Sequence, residues 1–345
     1  MNVVILSGVK LMRMIIRSYI FLFSLLLLSG CTSGELIKNN ASETVSAGHK
    51  AIDLSSQYFD GLLLLQEKNA ELVYITQPDC IPNEDNIIHY KLDQTTGRSD
   101  LCASGNDKFI PLSLTPLNKS HFSADELMMK SFSDYLDALS AKLSDPKTPV
   151  SDLLDKALAN AKVASMLSTK ADLGKEQLTA IHNLSNFLEH LIKVEKQGKE
   201  ITTLVKSHGA EQIENMNAIK KDIDNMNQLY VDSMKRTNTG LLVNYYRKNV
   251  KSDEFSTLNQ RQSFFRENDI VANEIQYSKK NTPPASEAIS QFIQYHEHLL
   301  KIVDGNLTDE ERKEQSKMAR DNLLIGLKYV GEVAKPLISA LAIAM

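Results

Sequence analysis

At 345 residues, 42% hydrophobic and 24% charged, the chain lies near globular averages and can bury a sizeable core, which excludes wholesale disorder and a polytopic membrane protein. It has no Trp, 14 Gly and 9 Pro, sparse punctuation that favours long uninterrupted helices over many short strands. The formal net charge is -4, but residues 1–30 hold Lys10, Arg13 and Arg17 and no acid. The remainder therefore carries 36 basic against 43 acidic side chains, a balance that excludes non-specific binding to nucleic acid or to an anionic membrane face.

The first element is an apolar run from Tyr19 to Leu28, preceded by Arg13 and Arg17 and followed by the small residues Ser29 and Gly30. About ten apolar positions are too few for a spanning helix, which needs about 20, and suit the core of a signal peptide. At Leu28, Ser29, Gly30 and Cys31 the sequence resembles the lipobox of bacterial lipoproteins. The resemblance covers the first 31 residues. It implies that the Cys31 thiol receives a diacylglycerol, that a peptidase cuts before it, and that the new amino terminus is acylated. Thr32 rather than Asp after the Cys points, by the same resemblance, to the outer membrane. Translation from Met12 or Met14 instead of Met1 would serve the signal equally well. Several acyl chains, each contributing roughly 0.8 kcal/mol per buried methylene, would hold the protein without a transmembrane helix. Residues 32–47, rich in Ser, Asn, Thr and Glu, read as a short tether.

Helical spacing of Val45, Ile52, Phe59, Leu62, Leu63 and Val73 predicts a helix over about 43–72. The texture then changes. Ile88, Tyr90 and Leu92 alternate with polar residues, Thr95, Thr96 and Gly97 punctuate, and Ile110, Leu112 and Leu114 alternate again, predicting a small β element. With Cys31 lipidated, Cys80 and Cys102 remain to flank that segment in an oxidising compartment, and the expectation is a disulfide. Two separate thiols are the alternative. A bridge over this loop would contribute about 3 kcal/mol.

Ser123 and Glu126 have the spacing of a capping box and predict a helix start, with a stop near Asp145 before Pro146 and Pro149. Apolar stripes at Leu153, Leu154, Ala157, Leu158, Ala161 and Leu167, and from Leu178 to Val194, predict two helices packed together. Residues 199–236 predict a long helix in which Met216, Ile219, Ile223, Met226 and Tyr230 form the buried stripe. Two clear heptads favour an ordinary bundle helix over a coiled coil. Residues 240–277 are expected to be helical with core aromatics Tyr245, Tyr246, Phe255, Phe264, Phe265 and Tyr277. A helix over about 285–303, a stop at Gly305, a second capping box at Thr308 and Glu311, and a last helix bent or broken at Pro336 complete the chain.

The constellations that could carry chemistry are weak. Asp304, Asn306 and Thr308 imitate the opening of a calcium loop, but Asp309 stands where Gly is needed and Gln315 where Glu is needed. His296 and His298 lie two apart and face different sides of a helix, and His182 and His190 are about 12 Å apart along one. Cys80, His89 and Cys102 supply too few ligands for zinc. Asp222 and Asp224 read as a solvated helix face. No nucleophile elbow, phosphate-cradling loop or dinucleotide fingerprint occurs. The chain thus nominates no catalytic residue, no metal ligand and no cofactor.

Together these features predict a mainly α protein: an elongated helical bundle with a small disulfide-stapled β element near its start. Its parts are a signal peptide (1–30), a lipidated terminus and tether (31–47), a helix with the β element (48–122) and the bundle (123–345). The expected function is a membrane-anchored, non-enzymatic binding or scaffolding lipoprotein that engages another envelope protein, with toxin immunity or phage exclusion as a narrower version. An envelope enzyme acting on peptidoglycan or lipid is the alternative.

Overall fold

In a computed structural model, the described residues are 46–64, 67, 70, 81–84, 87–92, 99–101, 110–113, 119–171, 173–237, 243–264, 266 and 282–343. The chain divides at Ser46 into two units. The first lies almost wholly outside the described residues, as do Cys31, Cys80 and Cys102. The second, from Ala47 onward, is one compact, mainly helical body.

Its first helix, α1 (46–64), is followed by three short strands, β1 (Ile87–Leu92), β2 (Ser99–Leu101) and β3 (Ile110–Ser113). The strands pair antiparallel in the order β2-β1-β3, with Tyr90 opposite both Leu101 and Ile110, and Ile88, opposite Leu112, is buried. The staple predicted for this element is not supported by the described residues, since both Cys80 and Cys102 lie outside them. Ala51, Ile52, Tyr58, Phe59 and Leu62 belong to the same hydrophobic core as the later helices, and Phe59 stacks on Phe122 at 4.8 Å.

The body is organised around α2 (Lys119–Ser144), which packs on α3 (Ser151–Ala171), α8 (Pro284–Asp304) and α9 (Asp309–Ile343) and touches α5 (Thr202–Thr237) sparsely. Residues 131–136 of α2 are all buried, as expected of a helix enclosed on every side rather than lying on a surface. It begins at Lys119, so Ser123 is inside it and the predicted capping box there does not form. Glu126 instead pairs with Lys130 at 2.5 Å. Pro146 and Pro149 end the helix as expected, with the Asp145 carboxylate accepting from the Lys147 amide at 3.0 Å.

α3 returns along α2 on a face of Leu154, Ala157, Ala161, Ala164 and Ser168, all at 0% exposure. Small side chains at helical spacing let the two backbones approach closely, and the α2–α3 contact is the most extensive in the fold. α4 (Lys175–Lys196) packs on α3 and α5, and ends with Gly198 at φ +66°, the Gly198 amide bonding the Glu195 carbonyl at 2.9 Å and the Lys199 amide that of Val194 at 3.1 Å. This pattern satisfies two otherwise orphaned carbonyls and favours glycine. In α5 Met216, Ile219, Ile223 and Met226 of the predicted stripe are buried, the Tyr230 side chain lies outside the described residues, and the helix packs on α4 and α8.

Residues 243–264 depart from the expected continuous helix. They form α6 (Val243–Asn249), a 3₁₀ turn (Asp253–Phe255) and α7 (258–264). Phe255 is buried at the centre of an aromatic cluster with Tyr245, Tyr246 and Phe264, ring centroids 5.1–6.1 Å apart. Packing of these rings, not helical continuity, shapes the segment. Phe265 and Tyr277 lie outside the described residues. The capping box before α9 forms as predicted: Glu311 accepts from the Thr308 amide at 2.8 Å and hydroxyl at 2.7 Å, while the Glu311 amide donates back to the Thr308 hydroxyl at 3.3 Å. α9 continues through Pro336 to Ile343, so of the bend or break expected there the break does not occur. Among the described residues no helix is long and apolar enough to cross a membrane.

Candidate metal centre

Two inward-facing polar groups interrupt the apolar core. The first is built on α2, where His121 and Asp125, four residues apart, share one face. Opposite them α5 presents Asp222, which is 101 residues from His121 in sequence, and the His121 Nε2 lies 2.6 Å from Asp222 Oδ2. The other oxygen of that carboxylate accepts from the Gln177 amide nitrogen on α4 at 2.8 Å, which fixes its orientation. Donor atoms of His121, Asp125 and Asp222 all lie within 4.8 Å of one another.

Asp125 is the unusual member. It is fully buried, and neither carboxylate oxygen has a hydrogen-bond partner. An ionised carboxylate so placed is strongly unfavourable, and its burial, reinforced by the charge of Asp222, holds its carboxyl well above the usual carboxylate range. His121 and Asp222 form the rim, their side chains 20% and 12% exposed. The expectation of a solvated face is thereby corrected for Asp222, whereas the Asp224 side chain is 39% exposed. Two residues apart, they point to different sides of α5, Asp222 toward this cluster and Asp224 to the Ser286 hydroxyl at 2.5 Å and to Lys220 at 3.1 Å. The Tyr58 hydroxyl on α1 donates to Asn227 one turn further along α5.

No family model, no curated protein and no solved structure matches the chain. Its chemistry is therefore to be read from its own residues.

The second polar group surrounds His296 on α8. The ring is at 0% exposure, edge-on to Phe132 and Tyr135, with Nε2 2.9 Å from the Tyr135 hydroxyl and Nδ1 without a partner. Burial pushes its pKa down to about 3, so the imidazole is neutral at ordinary pH. Nearby, burial pushes the Tyr295 hydroxyl up to about 12. Burial first, and then the charge of Asp134, raise the carboxyl of the partly buried Asp137 to about 7 against the opposing pull of Lys156. Asp134 itself is buried but satisfied, accepting from Lys156 at 2.8 Å and Asn160 at 3.1 Å on α3. This second group ties α8 and α3 to the central helix, and its histidine is enclosed by aromatic rings.

The remaining sequence-noted positions are dispersed. His298 is exposed on the side of α8 opposite to His296, and His182 and His190 are exposed on α4, His182 bonding Asn186 at 3.0 Å. Asp304 pairs with Lys206 at 3.2 Å and Thr308 caps α9, so the calcium-loop imitation is helix punctuation. Met216 and Met226 are core residues. His121 and Asp125 were missed as a pair. Their i, i+4 spacing was the available signal, but it becomes meaningful only when Asp222 is placed opposite.

Proposed function

We propose that the chain is a bacterial envelope lipoprotein, anchored through lipid on Cys31 to the outer membrane, whose helical body binds or scaffolds another envelope protein without catalysing a reaction. The lipobox-like Leu28-Ser29-Gly30-Cys31 supports the anchor. The observation that carries the binding role is an apolar stripe on α9: Met318, Ile325 and Tyr329 are 54%, 69% and 54% exposed. Their spacings of seven and four place them on one face of the helix. Exposed apolar side chains aligned on one helix face in this way suit a protein partner. Under this reading a Cys80–Cys102 disulfide stabilises the segment after α1, and the protective role against toxin or phage is one form the partnership takes.

A photo-crosslinker at Ile325 in the full-length chain tests this in intact cells. The expected result is one discrete adduct with an envelope protein, reduced by Tyr329→Glu on the same face. Absence of any adduct, or an adduct indifferent to Tyr329→Glu, overturns the binding role. Cys31→Ala that remains processed and equally membrane-held overturns the anchor. The competing reading, an envelope enzyme acting on peptidoglycan or lipid, has the inward cluster of His121, Asp125 and Asp222 in its favour. Turnover of such a substrate by the purified chain, abolished by Asp125→Asn, would establish it instead.

A further inference from the structure

We propose that His121, Asp125 and Asp222 bind one divalent transition-metal cation of the zinc class, joining α2 to α5. This site goes beyond the binding role argued above and does not depend on it. Two carboxylates and an imidazole brought within 4.8 Å of one another are a conventional three-donor set for such an ion. The independent observation is Asp125, a fully buried carboxylate with both oxygens unpartnered, placed at the floor of the same cluster. A hydrogen-bonded pair of His121 and Asp222 would account for the rim alone. It leaves Asp125 without a role, whereas a cation between the three satisfies all of them.

The geometry requires only small adjustments. Donors about 2.0–2.2 Å from a tetrahedral cation stand about 3.4 Å apart. The 2.6 Å His121–Asp222 contact therefore opens by about 0.8 Å, and no separation closes by more than about 1.4 Å, changes available to side-chain rotation. Gln177, already bound to the outer oxygen of Asp222, holds that ligand in place, the usual service of a second layer of hydrogen bonds. Entry is from the rim, past the partly exposed His121. The fourth position is left for water.

The donor types select the ion. Calcium takes six to eight oxygens and magnesium keeps most of its waters, so neither is served by a compact site with an imidazole. The absence of a thiolate disfavours the softest ions, and an imidazole with carboxylates suits Zn²⁺ above Mn²⁺ in the usual affinity order. Because α2 and α5 otherwise touch sparsely, the bound cation would act as a cross-link between them.

The test is calorimetric titration of the full-length chain, stripped with chelator and held in detergent, with Zn²⁺ and separately with Ca²⁺ and Mg²⁺, alongside thermal unfolding. The expected result is one Zn²⁺ per chain and a rise in Tm, with neither effect from Ca²⁺ or Mg²⁺. Gln177→Leu should weaken Zn²⁺ binding by about 10- to 100-fold, and Asp125→Asn and His121→Gln by more than that. His190→Gln, exposed on α4, should leave it unchanged. If Asp125→Asn fails to fold by circular dichroism, the rim variant His121→Gln decides. Wild-type chain that binds no Zn²⁺ saturably, or binding of unchanged affinity in His121→Gln, overturns the site.

Discussion

Acidification should destabilise this protein through one buried imidazole, His296. In the folded chain its pKa is pushed down to about 3, whereas in the unfolded chain it returns to near 6.5. Between those values the unfolded state binds a proton that the folded state refuses. Stability attributable to His296 is therefore intact above about pH 6.5 and is lost progressively as pH falls toward 3. At pH 5.0, about 1.5 units below 6.5, the loss is about 2 kcal/mol. Asp137 acts in the opposite sense: its folded carboxyl is raised to about 7, so its contribution is fully present below its unfolded value and is lost as pH rises through about 7. The assay must cancel that opposing drift. Equilibrium urea unfolding of wild type and His296→Phe, each at pH 7.5 and pH 5.0, does so because both proteins carry Asp137. At pH 7.5 the variant leaves the Tyr135 hydroxyl without its partner, at about 1–3 kcal/mol, partly offset by removing the unpartnered Nδ1. Whatever that offset, the stability of wild type relative to the variant should fall by about 2 kcal/mol between the two pH values. A gap that stays constant within about 0.5 kcal/mol, the usual margin for independent effects, would refute the buried neutral histidine.

Ala161→Leu should destabilise the fold by about 1–3 kcal/mol or prevent it, because the added atoms enter the closely packed α2–α3 face where Ala161 has no exposure; an unchanged urea midpoint would contradict that packing. Gly198→Ala should cost about 1–2 kcal/mol, because the turn after α4 requires φ +66°, and a thermal melt indistinguishable from wild type would exclude the left-handed turn. Peptide mapping without reductant should recover Cys80 and Cys102 in one linked pair of peptides, whereas both thiols reacting freely with an alkylating reagent would exclude the bridge. Reduction of that bridge should lower stability by about 3 kcal/mol while leaving the α2–α9 body helical by circular dichroism.

Most of the helical body was legible because helix formation leaves a local imprint. Leu154, Ala157 and Ala161, then Met216, Ile219, Ile223 and Met226, repeat every three or four residues, and each series is the buried face of its helix. Thr308 and Glu311 meet as their spacing foretold. Local patterns misled where tertiary packing overruled them. Ser123 looked like a cap, but α2 is extended to Lys119, and Phe255 and its neighbouring rings divide a segment that reads as one helix.

The amino-acid order alone determined the mainly helical character and most helix starts and stops, since these depend on residues within a turn or two of one another. Only the tertiary structure decided that Asp222 faces inward and that Asp125 is buried without a partner, because those facts depend on α2 and α5 meeting across 101 residues of chain. The same spacing of charge on a helix serves water or a ligand equally well. Which of the two it meets is set by the helix packed against it.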